Sequence, residues 1–438
     1  RKTVAPPRPG ARIAAESYPR IGTRGTEAVE DQRRGRPDGG TDNRPIWQLA
    51  ASQTVIWAGT YYMFPATLLR VEAATGWSKT ELTGAFTLSI AVSALASPLA
   101  GRLIDRGYGA QLLAGSALAG SLLVAALAAA DHFWQVVLIW MLLGLVMAGG
   151  LYIPCFSLVT RARGPAARRA ITLITLVAGF AGTVSFPSAH WLSDLLGWRG
   201  ALGTFAGAIL LVALPLAWSG ARRLEREARQ RTRQAAAGDG ATPRGAGPAI
   251  YLRAPAFWLL AVAFAALALT HGVAINHLLP ILEERGTPDD IAVLAAAAIG
   301  PMQVVGRLLM LAVEHRVSSR AITAACFLAL IGAMLSLIGA AASLVLLLPF
   351  VALLGAGAGV TSIMKPVVTR DILGEADFGA VSGALAVPFL AAFAAAPFAG
   401  SLMWEVGGYG FVLALLTATT AIGLAAFLLA SRRRPAFA

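Results

Sequence analysis

Gly101-Arg102-Leu103-Ile104-Asp105-Arg106-Gly107-Tyr108-Gly109 is a short polar interruption between two long apolar stretches, residues 81–101 and 110–130. Its glycines permit a tight reversal and close helix approach, and its Asp and Arg suit the ends of helices. Apolar blocks of about 20 residues are what a hydrocarbon core ~30 Å thick demands of a helix. Outward from this loop the same rhythm recurs. Further apolar spans fall at 47–69, 134–160, 171–195 and 200–219, then a charged segment intervenes. Six more follow at 255–281, 290–313, 319–341, 344–369, 378–403 and 409–430. The pattern predicts an all-α membrane protein with twelve transmembrane helices in two six-helix, pseudo-symmetric bundles.

Composition agrees. Of 438 residues, 57% are hydrophobic and only 13% charged, whereas a soluble domain carries roughly a quarter charged residues. Backbone polar groups must be paired in lipid, and the short alternating segments of a barrel are not seen. Cys155 and Cys326 lie inside apolar runs, with no disulfide framework and no metal-ligand spacing. No cofactor and no metal are expected. A formal charge of +13 could suggest nucleic acid, but the arginines flank the spans, so topology explains them and no nucleic-acid partner is expected.

Five segments result: a disordered cytoplasmic N-tail (1–45) rather than a secretory signal, an N-terminal bundle (46–219), a cytoplasmic linker (220–253), a C-terminal bundle (254–431) and a cytoplasmic C-tail (432–438). With both termini cytoplasmic, 30 of the 36 Lys and Arg face inward, ten of them in the N-tail and eight in the linker. Only Arg70, Lys79, Arg199 and Arg285 then face outward. That asymmetry predicts the orientation. The excess of Arg over Lys hints at a GC-rich bacterial genome, hence an inner-membrane location. The halves also echo each other. Ser157-Leu158-Val159-Thr160-Arg161 recurs as Pro366-Val367-Val368-Thr369-Arg370, and Ile46-Trp47-Gln48-Leu49-Ala50 as Phe257-Trp258-Leu259-Leu260-Ala261, at offsets of 209 and 211. Two matches at nearly one offset argue for a duplicated six-helix unit.

The Gly101–Gly109 loop resembles the signature G-x-L-x-D-R-x-G of the major facilitator superfamily at its expected place. The resemblance implies that Gly101, Asp105, Arg106 and Gly109 help latch two rocking halves on the cytoplasmic side. Gly76-Trp77-Ser78-Lys79-Thr80-Glu81-Leu82-Thr83-Gly84-Ala85-Phe86-Thr87-Leu88 is similar to a stretch of the monocarboxylate porter and oxalate/formate antiporter group. So is Trp191-Leu192-Ser193-Asp194-Leu195-Leu196-Gly197-Trp198-Arg199. By themselves these residues are mundane: Gly76 ends one element, and Ser78 or Thr80 can cap the next.

Two cations belong to no loop. Arg307 is seven residues before Glu314, about 10 Å deeper in the helix, and no acidic residue is clearly mid-span. A buried cation is costly unless paired or facing a wet cavity. Arg307 is therefore expected to face the central cavity, with a substrate carboxylate as its counter-ion; the resemblance also implies a functional Arg on this helix. The alternative is a snorkelling Arg or one bonded to helix-end carbonyls. Gln303 sits one turn away on the same face, and Gly306 allows close approach of a helix or ligand. Lys365 lies within snorkelling reach of the end of span 10, so structure and substrate binding are both open. The oxalate/formate group has its second cation on span 11, and none stands there in this chain, which favours a singly charged substrate. His271 suits a cavity, a proton carrier or plain packing. Asn276 joins it on span 7, while His277 lies nearer the outer end. Tyr61 and Tyr62 stand opposite span 7 by the repeat, and Tyr152 and Trp140 are weaker candidates.

The resulting expectation is a secondary transporter for a small organic anion, a monocarboxylate, working by alternating access as a monomer in the lipid bilayer. No phosphate-binding loop exists to use ATP, so coupling falls to protons or to anion exchange. An exporter of drugs or hydrophobic metabolites, and a transporter-like membrane sensor, are the alternatives. No nucleophile–base pair or metal set converges, so an enzyme is not expected.

Overall fold

The computed structural model describes residues 42–236, 254–374 and 378–432. Most of the expected N-tail, the second part of the linker and nearly all of the C-tail lie outside these residues. α1 starts as Arg44–Trp57, passes through a π-helical stretch, Ala58–Tyr62, and continues as Met63–Thr75. Pro65 has no N–H to offer the Tyr61 carbonyl four residues back, so the regular ladder fails next to this stretch. Gly76, with φ 75°, ends α1. α2 (Lys79–Asp105) opens on a capping box in which Ser78 and Glu81 satisfy each other's backbone N–H.

α3 is Gly109–Ala128, and α4 is Phe133–Gly150 followed, across extended Leu151, by Tyr152–Arg163. α5 begins as Ala167–Ala178, turns briefly at Gly179 and Phe180, and resumes at Ala181. Gly197, with φ 71°, reverses the chain into α6, which continues through Ile209–Ala213 and Leu214–Ala236. In the second half, α7 is Pro255–Asn276 with Leu278–Glu284, α8 is Asp289–Val313, α9 is Ser319–Gly339 and α10 is Leu347–Leu373. α11 and α12 share Phe378–Ser431 and part at Gly407 and Gly408.

Nine stretches among the described residues are long and apolar enough to cross a membrane, and two of them, Arg169–Arg231 and Val381–Ser431, double back at the glycines just named. With the more polar α1 the spans come to twelve, six on each side of the linker. One boundary moves. The helix of span 6 runs on past 219 to Ala236, because Ala221, Leu224 and Ala228 bury one face against Ile104, Ala110 and Leu158 while Arg222 and Arg226 stay in solvent.

Prolines inside these helices free carbonyls, and side chains from neighbouring spans fill them. Pro154 cannot bond the Gly150 carbonyl, and Gln53 Nε2 donates to it at 2.7 Å from α1. Pro301 likewise frees the Ala297 carbonyl, which accepts from Thr183 Oγ1 at 2.6 Å. Both replacements are worth most where no water competes. Gln53→Leu, which leaves the Gly150 carbonyl alone in a buried bundle, is expected to cost about 1–3 kcal/mol. A lowered unfolding temperature in detergent checks this.

The end of the molecule carrying the Gly101–Gly109 loop is called the basic end here. At this loop Gly107, with φ 84°, turns the chain. Its carbonyl accepts from Arg229 at 3.1 Å, and Glu225 accepts from both Arg229 and the Ala110 N–H at 3.0 Å. Arg161 of α4 donates to the Ile104 carbonyl, and Gly109 lets Leu158 pack close against α3. These ties run to α4 and α6 of the same half. Asp105 and Arg106 are exposed.

The two halves meet toward the opposite end. Along α2 and α11, Thr83 and Ser401 hydroxyls lie 2.8 Å apart, Thr87 accepts from the Phe398 N–H at 3.1 Å, and Thr80 donates to Glu405. Along α5 and α8, Gly300 sits so close to Gly179 that a Cβ would come 2.6 Å from its carbonyl oxygen. At the rim His190 lies 3.4 Å from both Asp194 and Asp290, and Arg70 pairs with Asp194 at 2.8 Å. Every cross-half contact named here lies between the level of Arg307 and the opposite rim.

Candidate functional site

Arg307 reaches the junction because α8 packs on α10 through small residues. Gly306 faces the Ala356 backbone, Gly355 faces Met302 and Gly359 faces the Gln303 backbone, each with room for no Cβ. The side chain is buried, 9% exposed, and bridges the halves. Its Nε donates to the Gly359 carbonyl of α10 at 3.2 Å, and its Nη1 to the Thr175 carbonyl of α5, also at 3.2 Å. Thr175 stands in the last turn of Ala167–Ala178, where unpaired carbonyls and the helix dipole concentrate negative charge. Backbone carbonyls thus take part of the guanidinium, as the alternative reading of Arg307 expected. A guanidinium has five N–H donors, and these two bonds leave others over; Nη1 lies beside Gly179 of α5, and Tyr62 packs against Gly182, one turn further on. No carboxylate pairs with Arg307 among the described residues, where the acidic side chains stand near helix ends or in loops, apart from Glu225 and Glu227 in the extension of α6.

Around this cation the walls are aromatic. Tyr152 stacks on Phe156 at 4.9 Å and packs on Trp57 at 4.8 Å. Trp57 leads to Tyr61 at 5.3 Å and to Tyr62 at 6.3 Å. Tyr61 crosses the junction: its ring lies parallel to Phe393 of α11 at 6.0 Å, and its hydroxyl accepts from Asn276 of α7 at 3.4 Å. Phe393 in turn runs parallel to Phe389 at 6.4 Å and to His271 at 6.5 Å. The Lys365 ammonium sits 3.6 Å from the Phe389 ring centre, a cation–π contact that stands in for an anion. Gln303 is half-buried, one turn before Arg307.

Tyr61, Tyr62, Asn276 and His271 are thus linked by contacts across the junction, and Tyr62 and Arg307 border the same stretch of α5, at Gly182 and Gly179. Lys365 reaches the same surface through Phe389. The signature-loop residues Gly101, Asp105, Arg106 and Gly109 stand apart, at the basic end. His277 is a packing residue: it is fully buried, its Nε2 donates to the Pro397 carbonyl at 2.7 Å, and its Nδ1 accepts from Tyr409 at 2.9 Å. Trp140 belongs to the core of the first half, against Phe64 and Phe86. Trp57, Phe389, Phe393 and Thr175 were not singled out by the sequence. The first three could have been, since Trp57 with Tyr61 and Phe389 with Phe393 are aromatic pairs four apart, on one helix face in Ala-rich surroundings. Thr175 acts through its carbonyl, which leaves no trace in residue type.

Three polar atoms at this surface are buried without a partner: Trp57 Nε1, Asn276 Oδ1 and His271 Nδ1. Such atoms are rare in native folds. Taken together, the junction offers two cations, flat apolar rings and unfilled polar valence. No group of side chains able to hold a metal occurs among the described residues.

Comparison with known proteins places this arrangement. Two solved structures of a bacterial homologue of the human lysosomal transporter Spinster resemble the chain. The inward-facing, occupied form has a TM-score of 0.63 at 16% identity, covering 88% of this chain and 96% of that one. The inward-facing, unoccupied form also gives 0.63 at 16% identity, covering 90% and 98%. At that identity the likeness is one of fold. Curated protein sequences returned no match. The profile of the Major Facilitator Superfamily matches residues 49–386, most of both helical halves, and the chain belongs to that superfamily of membrane transporters.

Proposed function

We propose that the protein moves a small organic anion, a monocarboxylate, across the cytoplasmic membrane by alternating access around Arg307. One observation carries this reading: a buried guanidinium at the junction of the halves, bonded to one carbonyl from each, with donors left over and no carboxylate partner among the described residues. A buried charge left unpaired is costly, and a substrate carboxylate completes the guanidinium fork. The similarity of 76–88 and 191–199 to the monocarboxylate and oxalate/formate group supports the same substrate class.

The cycle follows from the contacts. In this conformation the halves are joined toward the opposite end, and the basic end is the open mouth. With basic residues inward, that mouth and both termini face the cytoplasm. A carboxylate arriving at Arg307 takes the donors that Gly359 and Thr175 leave over, so the bound substrate adds to the tie between the halves at this level. Rocking then closes the basic end, where the exposed Asp105 and Arg106 are available to the second half, and parts α2 from α11 and α5 from α8. The residues present suit a monomer, driven by anion exchange or by a co-transported proton with His271 as a carrier.

A second reading, export of hydrophobic cations, draws on the aromatic walls. The cations Arg307 and Lys365, neither of them paired with a carboxylate among the described residues, oppose it. Uptake by proteoliposomes separates the two: saturable entry of labelled acetate or benzoate, with none of tetraphenylphosphonium, is expected. Entry of the cation alone overturns the anion reading.

A further inference from the structure

We infer that the preferred substrate is an aromatic monocarboxylate, a carboxyl group carried on a flat ring; this rests on the anion reading above. The rings at the junction are not scattered. Phe389, Phe393 and Tyr61 follow one another in a row, with His271 flanking Phe393; the planes of Phe389, Tyr61 and His271 differ from that of Phe393 by 2°, 11° and 17° at centroid spacings of 6.0–6.5 Å. Rings this parallel and this far apart are offset from one another rather than directly face to face. Core aromatics of the same protein behave differently: Phe64 stacks on Phe86 at 4.1 Å, and Trp140 meets both edge-on. Those rings use their faces on each other. Phe389, Phe393 and His271 remain only half-buried.

The row has a cation beyond each end. Lys365 covers Phe389 at one; at the other, Tyr61 packs edge-on against Tyr62 at 5.2 Å, and Tyr62 lies against Gly182, one helical turn from the Gly179 that borders Arg307 Nη1. Unpartnered polar atoms border the row. Asn276, fully buried beside Tyr61, has an Oδ1 without a donor, and His271 Nδ1 has no partner. A planar anion whose carboxylate meets Arg307 lays its ring along this row, where offset stacking adds to plain burial. A short aliphatic acid takes the same carboxylate contact and none of the rest.

The test is inhibition of labelled benzoate counterflow in proteoliposomes of the full chain by unlabelled benzoate, cyclohexanecarboxylate and acetate. Benzoate is expected to inhibit at concentrations roughly tenfold lower than cyclohexanecarboxylate and lower still than acetate. Phe393→Leu, which keeps an apolar side chain and removes the ring, is expected to erase the gap between benzoate and cyclohexanecarboxylate while acetate inhibition persists. Should Phe393→Leu fail to fold, the wild-type ranking decides alone. Equal inhibition by benzoate and cyclohexanecarboxylate, or preference for acetate, overturns the inference and leaves the anion reading standing. Absence of flux for labelled benzoate and acetate alike overturns that reading itself.

Discussion

Arg307→Ala is expected to abolish saturable carboxylate flux without unfolding the protein. Bonds from a charged donor contribute about 1.5–3 kcal/mol each, so losing a two-pronged carboxylate contact raises the half-saturating concentration by about 100-fold or more. The fold tolerates the change because the carbonyls that Arg307 contacts are not left bare. Thr175 already accepts the Gly179 N–H at 3.0 Å, and Gly359 accepts from Ser362 at 2.8 Å. Arg307→Lys keeps the charge on a single point donor that cannot hold Gly359, Thr175 and a carboxylate together, and a loss of about tenfold is expected. Kinetics of uptake, read beside the melting temperature of each variant, check both. Wild-type flux in Arg307→Ala would assign the residue to helix packing alone.

Gly300→Val is expected to cut transport at least tenfold by a different route. A Cβ at Gly300 would lie 2.6 Å from the Gly179 carbonyl oxygen and 2.6 Å from Thr183 Oγ1. The first is backbone and cannot swing aside. The second is held by its own bond to the Ala297 carbonyl, which Pro301 has left free. α8 must therefore move off α5, at an overpacking cost of about 1–3 kcal/mol, and the opposite end loses its closed form. Paired cysteines replacing Thr83 and Ser401, whose hydroxyls lie 2.8 Å apart, report that closure, and their cross-linking yield is expected to fall. Gly203→Ala, with nothing within 4 Å of the added carbon, is the matched control and should transport normally. Full flux in Gly300→Val would contradict the account of the α5–α8 contact.

The fold was legible because a bilayer imposes one length scale on every span. The loop at 101–109 marked a reversal, and Ser78 and Gly76 marked helix ends; each stands as read. The end of α6 was not legible by apolarity, since its amphipathic continuation mixes arginines with buried Leu224 and Ala228. The site divides in the same way. Arg307 and Lys365 announce themselves as charges where charge is costly, and Tyr61, Tyr62, Asn276 and His271 as polar groups in apolar helices. What Arg307 touches was hidden, because a backbone carbonyl at the turn of α5 belongs to no side-chain pattern. Phe389 and Phe393 were legible only as an aromatic pair four apart; aromatic residues are ordinary in a membrane span, and their parallel planes emerge only in the structure.

Counterflow in proteoliposomes tests the central claim most directly. Vesicles loaded with unlabelled benzoate and diluted into a trace of labelled benzoate should accumulate label transiently with the wild-type protein and not with Arg307→Ala. That result requires a carrier that alternates its access while holding a carboxylate at Arg307. Label that never accumulates for any monocarboxylate, or that accumulates equally in the two proteins, would contradict it.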